Sequence, residues 1–87
     1  MADHKEVEFL ENTIEAIVSN PKDINIDRKV DEQGVLLTLT VNEDDIGKVI
    51  GKEGRIANAL RLLLRAVGYE NDVRAHLKID VPRDNEE

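Results

Sequence analysis

The sequence predicts an α+β domain in which three helices cover one face of a three-stranded mixed sheet, in the order α-β-β-α-α-β. Apolar residues recur at helical spacing in three segments and alternate with polar residues in three others. The last two predicted strands are joined by two helices, which makes them parallel if they are adjacent. The polar alternate positions leave the other face of the sheet without a covering layer.

The N-terminal half contains a helix and a hairpin. Between residues 5 and 19, apolar residues recur at spacings of three and four among glutamates, and Pro21 ends the helix because it disfavours helical geometry at the residue before it. Two alternating segments follow, at residues 24 to 30 and 35 to 41. The letters "DEQG" between them predict a hairpin turn in which Gly34 takes a positive φ.

The C-terminal half contains two helices and the last strand. Asn42 is placed to cap a short helix that ends at Gly51. An apolar stripe from residue 56 to 67 predicts a longer helix, with Gly68 at its C-cap. Residues 73 to 81 then alternate between apolar and polar, which predicts a strand.

Length and composition predict one small soluble domain. The chain has 87 residues and no cysteine, and it has no apolar run near the roughly 18 residues that a membrane helix needs. We expect the domain to span residues 4–81 and a disordered acidic tail to occupy residues 82–87. The start of the chain shows no apolar secretion signal, so we expect a cytoplasmic protein with no membrane association.

Catalysis is not expected, because no nucleophile-base pair and no cluster with metal-ligand spacing is visible. His4 lies near the chain start, and His76 stands alone in a predicted strand. Glu43, Asp44 and Asp45 could chelate a metal ion, but the helix dipole is the commoner explanation of acids at a helix start. We therefore predict no enzyme activity, no metal site and no cofactor.

Whether the chain can bind a nucleic acid depends more on how its charges are distributed than on its net charge of −7. Residues 46 to 69 contain five basic residues and one acidic residue, a sum of +4, whereas the remainder has seven basic and eighteen acidic residues, a sum of −11. Lys and Arg supply most of the binding energy for a phosphate backbone. The basic segment is therefore either a binding face or the solvated side of a helix.

The letters "GKEG" at residues 51–54 predict a turn suited to phosphate. Gly51 and Gly54 bracket Lys52 and Glu53 between two helices, so exposed backbone N–H groups lie at the start of the second helix. Glycine lets a sugar-phosphate backbone approach closely, and Lys52 and Arg55 can each neutralise a phosphate. The alternative is an ordinary corner with two capping glycines. The spacing fits neither a P-loop nor a dinucleotide fingerprint.

The stretch "VIGKEGRIANALRLLLRA" resembles the signature of a KH domain, hydrophobic-Ile-Gly-x-x-Gly between two short helices, and the element order is that of the type II arrangement. From residue 4 to 81, the chain resembles the small single-KH bacterial proteins of the KhpA family, whose signature includes "GKxGRIAxALR". The resemblance implies a GxxG loop that clamps about four single-stranded nucleotides beside a narrow apolar groove. It also implies self-association or pairing with a larger KH protein of the KhpB (Jag or EloR) type.

Carried onto this sequence, the resemblance identifies three groups of RNA-binding residues. The loop and its phosphate contacts are Gly51, Lys52, Glu53, Gly54, Arg55 and Lys48; the groove floor is Ile46, Val49 and Ile56; the opposite wall is Arg74, His76, Lys78 and Tyr69. For Val49 and Ile56, a core position explains the pattern equally well. For the strand residues, the alternative is the solvated face of the sheet.

Two features predict weak binding of RNA. Glu53 repels phosphate if it points inward, although it could instead point to solvent and cap the following helix. Only Tyr69, expected in the loop before the last strand, is a candidate for base stacking. We therefore expect a single-stranded RNA-binding protein of broad specificity, a post-transcriptional regulator or RNA chaperone that acts as a dimer or with a second KH protein. The alternative is a dimerisation module with little RNA binding, in which Ile56 forms the contact.

Overall fold

The computed structural model describes residues 4–81 of the chain. Its helices and strands are α1 (Lys5–Glu15), β1 (Asn25–Asp31), β2 (Gly34–Thr40), α2 (Ile46–Ile50), α3 (Arg55–Glu70) and β3 (Ala75–Ile79). Short 3₁₀ turns occupy Pro21–Asp23, Glu43–Asp45 and Lys52–Gly54. The predicted element order is confirmed, and the predicted tail at residues 82–87 lies outside the described residues.

The three strands form one mixed sheet in the order β1-β2-β3. Strands β1 and β2 are antiparallel, from the pair Asn25 and Thr40 to the pair Asp31 and Gly34, and β2 and β3 are parallel. Gly34 closes the hairpin with a φ of 128°, as the sequence predicts. Because β2 is central, one edge of β3 has no neighbouring strand among the described residues.

The three helices pack on one face of the sheet and enclose the core. The buried apolar side chains come from every helix and from β2 and β3, and they include Leu10, Ile14, Val35, Leu37, Leu39, Val49, Leu60, Leu64 and Leu77. Each fully buried side chain of this size contributes about 1.5 to 3 kcal/mol to the free energy of folding. The alternate residues of β3, such as His76 and Lys78, are exposed on the opposite face.

A partly buried ion pair fixes α1 against the edge strand β1. The Nε atom of Arg28 donates a hydrogen bond of 2.8 Å to Oε2 of Glu6, whose side chain is buried. Arg28 occupies an inward position of β1, where the alternation of apolar residues would suggest a hydrophobic side chain. The sequence indicates Glu6 only as one of several acids along the first helix, so this partner is a finding of the structure.

One helix and one strand are shorter than predicted. Helix α1 ends at Glu15 rather than at residue 19, because the chain leaves the helix through a turn in which the N–H groups of Ile17 and Val18 donate to the carbonyl oxygen of Ile14. The last strand is also shorter than predicted, since β3 pairs with β2 only from Ala75 to Ile79. Within residues 4–81, no helix has the length and apolar character needed to cross a membrane.

The prediction of Gly68 as a C-cap is wrong. Helix α3 continues to Glu70, and Gly68 is buried within its last turns. The returning chain passes so close that the N–H of Val73 donates to the carbonyl oxygen of Gly68 at 2.9 Å, and a Cβ at residue 68 would lie 2.6 Å from the carbonyl oxygen of Val73. Tyr69 therefore lies on the helix, not in the loop where it was expected.

Candidate nucleic-acid interface

The loop between α2 and α3 depends on glycine at both ends. Gly51 has φ 78° and ψ 177°, a region that is essentially confined to glycine, and Gly54 has φ 78° and ψ 13°, which is left-handed helical. A Cβ at Gly51 would also lie 2.3 Å from Cγ1 of Ile56 and 2.9 Å from its backbone nitrogen. Glu53 is a non-glycine residue with positive φ, 56°. The loop is thus a tight and locally strained turn packed against the first turn of α3.

The charged side chains of the loop are exposed. Lys52 has no ion-pair partner among the residues that the structure describes. Glu53 points to solvent, and its Oε1 lies 3.9 Å from Nη2 of Arg55, with both side chains largely exposed. Of the two alternatives for Glu53, the structure supports the orientation to solvent, but no side chain caps the start of α3. An exposed pair of this kind contributes little to stability, so Glu53 mainly offsets part of the positive charge of Arg55.

Asp45 lies buried at the start of α2, the helix that leads to the loop. Its buried carboxylate accepts hydrogen bonds from the backbone N–H groups of Ser19 and Asn20, at 3.0 and 2.9 Å, and from Nδ2 of Asn20 at 3.1 Å. Burial alone would raise the pKa of Asp45, but these hydrogen bonds and the one from Lys48 outweigh it and lower the pKa below its ordinary value. This carboxylate therefore fastens the start of α2 to the turn after α1.

Lys48 belongs to this internal network. Its ammonium group contacts the hydroxyl of Ser19 and lies 3.4 Å from Oδ1 of Asp45. The side chain remains partly exposed, but its charge already has a partner. Asp45 itself has a structural role, and between residues 4 and 81 no group of three or more His, Cys, Asp or Glu residues is arranged to hold a metal ion.

The predicted groove-floor residues separate in the structure. Val49 is fully buried in the core, which is the alternative that the sequence left open for it, whereas Ile56 is 37% exposed beside Gly51. Ile46 is partly buried and packs against the core. Of these three side chains, Ile56 is therefore the most exposed.

A second surface runs from the loop along α3 toward β3. Residues three or four positions apart lie on the same face of a helix. On this face of α3 they form one stripe of Gly54, Asn58, Arg61, Arg65 and Tyr69. The Nε atom of Arg61 donates a 3.4 Å hydrogen bond to the carbonyl oxygen of Leu77, on β3. Arg61 and Arg65 belong to the basic segment from residue 46 to 69 but not to the predicted site, although their helical spacing from Gly54 is the signal that could have placed them there.

A groove of about 310 Å³ lies at the far end of this stripe. Its lining residues are Arg65, Tyr69, Val73, Arg74, Ala75 and His76. Three of the predicted wall residues, Tyr69, Arg74 and His76, thus meet in one place. Lys78 is exposed on the open face of the sheet and does not line the groove.

Comparison with known proteins matches residues 7–79 to the family model described as "KhpA/KhpB, KH domain". Similar proteins include the RNA-binding protein KhpA of Listeria monocytogenes, 38% identical over 72 residues that cover 83% of this chain and 95% of the relative. The KhpA proteins of Oceanobacillus iheyensis and Clostridium perfringens are 40% and 33% identical, over 82% and 83% of this chain and 95% and 96% of each relative.

These matches agree with the architecture. The order α-β-β-α-α-β and the mixed sheet, in which β2 is parallel to β3, are those of a type II KH domain. The family and its relatives are named for a KH domain and for RNA binding rather than for a reaction, in agreement with the prediction that the chain is not an enzyme. The chain belongs to the KhpA/KhpB family of KH domains.

Proposed function

We propose that this protein binds single-stranded RNA by clamping its phosphate backbone with the loop from Gly51 to Gly54. The observation that carries the proposal is the geometry of this loop, in which Gly51 and Gly54, both with φ 78°, turn the chain tightly into the start of α3 without side chains of their own. The N-terminus of a helix presents N–H groups and a positive dipole end to an anion. The name of the relatives, RNA-binding protein KhpA, supports the same ligand.

The side chains around the loop have different roles in binding. Lys52 and Arg55, both exposed, neutralise backbone phosphates, while Ile56 contacts a base beside the loop. Lys48 contributes less than a free lysine would, because Asp45 already neutralises it. Glu53 points to solvent and weakens the clamp without blocking it.

The number of phosphate contacts implies weak binding with little sequence preference. Neutralising two or three phosphates of a single strand gives a slope of about −1.4 to −2.1 in a plot of log K against log salt. Useful affinity then requires two domains acting on one strand, because linked sites gain from effective concentration. A cytoplasmic RNA chaperone or post-transcriptional regulator that acts as a homodimer, or with a KhpB (Jag or EloR) type protein, fits these properties.

The experiment compares RNA binding by wild type and Lys52→Asp over a series of salt concentrations. We expect Lys52→Asp to lose most of the affinity and to flatten the salt dependence, because a phosphate contact is replaced by repulsion. Lys29→Asp is the matched control, since it makes the same change of charge at an exposed position on β1, at the opposite edge of the sheet from β3. Equal binding by wild type and Lys52→Asp at every salt concentration would contradict the clamp.

A dimerisation module with little RNA binding is the second candidate, and one observation favours it. Helix α3 exposes two adjacent leucines, Leu62 at 63% and Leu63 at 49%, in addition to Ile56. Exposed apolar residues that cluster in this way often mark a protein contact. If Leu62→Glu abolishes self-association in sedimentation experiments and wild type shows no measurable RNA binding, this second candidate is the correct one.

A further inference from the structure

The groove at the end of α3 differs in composition from the surface around it. Three residues in its lining can carry positive charge, Arg65, Arg74 and His76, and none of the lining residues is acidic. A neighbouring hollow that shares Tyr69, Val73 and Arg74 with the groove is lined also by two acidic residues, Glu70 and Asp72. In a chain with a net charge of −7, a groove lined in this way is a local site of attraction for phosphate.

The aromatic ring in the groove is uncovered. Tyr69 is 81% exposed, although it borders apolar surface from Val73 and Ala75. An exposed ring beside cationic side chains is the arrangement on which proteins stack single-stranded bases, since every base has a π face. A volume of about 310 Å³ is at the lower limit for a small-molecule site, which suits one nucleotide.

This groove is separate from the loop. Gly54 and Tyr69 lie at opposite ends of α3, about 22 Å apart along the helix axis. A GxxG loop clamps about four nucleotides. The stripe through Arg61 and Arg65 joins the two places on one side of the helix. A strand that occupies both must therefore be longer than the one that the loop holds.

We propose that RNA bound at the loop continues along α3 and places a further nucleotide in this groove, with its base on Tyr69 and its phosphate beside Arg65 and Arg74. This inference rests on the proposed function, because the loop supplies the first contact. It extends the RNA footprint to the C-terminal end of α3. Length of the strand, rather than its sequence, then becomes a determinant of affinity.

Intrinsic fluorescence can test the proposal directly. The chain contains one tyrosine and no tryptophan, so its aromatic emission reports Tyr69. We expect an oligoadenylate of about ten nucleotides to quench this emission, and one of about four, the length that the loop clamps, to bind without quenching.

Affinities of substituted proteins complete the test. Tyr69→Ala should weaken binding of the longer strand roughly 5- to 10-fold, the lower part of the range for loss of one base-aromatic stack, and leave the shorter strand unaffected. Tyr69→Phe keeps the ring and should bind like wild type. Arg65→Gln should reduce the salt slope for the longer strand by about 0.7. Because Tyr69 is exposed, a thermal unfolding curve should show that Tyr69→Ala remains folded.

The outcomes separate this inference from the proposed function. If wild type binds the shorter strand through Lys52 but Tyr69→Ala changes neither affinity, only the groove proposal is wrong. If wild type binds neither strand, both proposals are wrong. If Tyr69→Ala reduces self-association and leaves RNA binding unchanged, the groove is a protein contact and the proposal fails.

Discussion

Helix α3 carries candidate binding surface at both of its ends. The surface is formed by backbone at one end and by side chains at the other. At the N-terminal end the candidate surface is the partly exposed backbone of Gly51 and Gly54, which have no side chains. At the C-terminal end the surface consists of the side chains of Arg65 and Tyr69, and glycine is needed only at Gly68, where the returning chain passes close to the helix. The first end therefore has no room for a side chain at Gly51, whereas the second can be altered one side chain at a time.

The largest effect is expected from Gly51→Ala. Alanine is strained at φ 78° and ψ 177°, and its Cβ would collide with Ile56 at 2.3 Å, so the loop must rearrange. We expect a loss of roughly 3 kcal/mol or more in the free energy of unfolding, measured in urea, together with loss of RNA binding.

Gly54→Ala is the matched comparison for this prediction. A Cβ at Gly54 has open space, with its nearest neighbour, Nδ2 of Asn58, at 3.9 Å, so only the left-handed conformation is penalised, by about 1 to 2 kcal/mol. Gly54→Asn should lose less, because asparagine tolerates this conformation. Equal losses for Gly51→Ala and Gly54→Ala would show that the collision with Ile56 does not limit the loop.

The second effect depends on pH. It concerns Asp45, the buried carboxylate that holds the start of α2 in place before the loop. Because the hydrogen bonds from Ser19, Asn20 and Lys48 hold the folded pKa of Asp45 below its unfolded value of 3.8, its ionisation stabilises the fold fully above that value. This stabilisation is lost as the pH falls through the lower, folded pKa. We expect wild type to lose thermal stability on acidification below about pH 4.

Asp45→Asn separates this group from the other carboxylates. The amide NH₂ group of an asparagine at this position would face a backbone N–H group of Ser19 or Asn20, and two donors cannot hydrogen-bond to each other. Asp45→Asn should therefore unfold at a lower temperature than wild type at neutral pH. The gap between the two proteins should narrow as the pH is lowered. A gap that stays constant down to about pH 3 would contradict the assignment of the lowered pKa to Asp45.

The smallest effect tests the C-terminal end. Gly68→Ala gains helix propensity, but its Cβ would lie 2.6 Å from the carbonyl oxygen of Val73, and we expect a net loss of about 1 to 2 kcal/mol in the free energy of unfolding. Gly47→Ala is the control, because Gly47 is also helical and has nothing within 4 Å of the added Cβ. Gly47→Ala should gain about 0.5 to 1 kcal/mol in the free energy of unfolding. If both variants gain stability in urea, the chain does not pass as close to Gly68 as described.

Local patterns predicted most of the fold, and two of the errors have a common cause. The alternation through Val35, Leu37 and Leu39 and the stripe through Leu60 and Leu64 identified β2 and α3 correctly, since burial repeats with the period of each element. The errors at Gly68 and Tyr69 arose because a glycine near a helix end was interpreted as a cap. Its actual role depends on where the chain returns, which no local pattern shows.

The sequence by itself determined the order of the elements, the "GKEG" loop and the positive segment around it, because each follows from residues adjacent in the chain or one helical turn apart. Only the tertiary structure decided that Asp45 is a buried support, that Lys48 is paired with Asp45 and that Lys78 lies outside the groove lined by Tyr69, Arg74 and His76. Asp45 and Asn20 are 25 positions apart, and β3 reaches α3 only after the chain reverses. Contacts over such separations depend on how whole elements pack, and that packing is not encoded in the spacing of neighbouring residues.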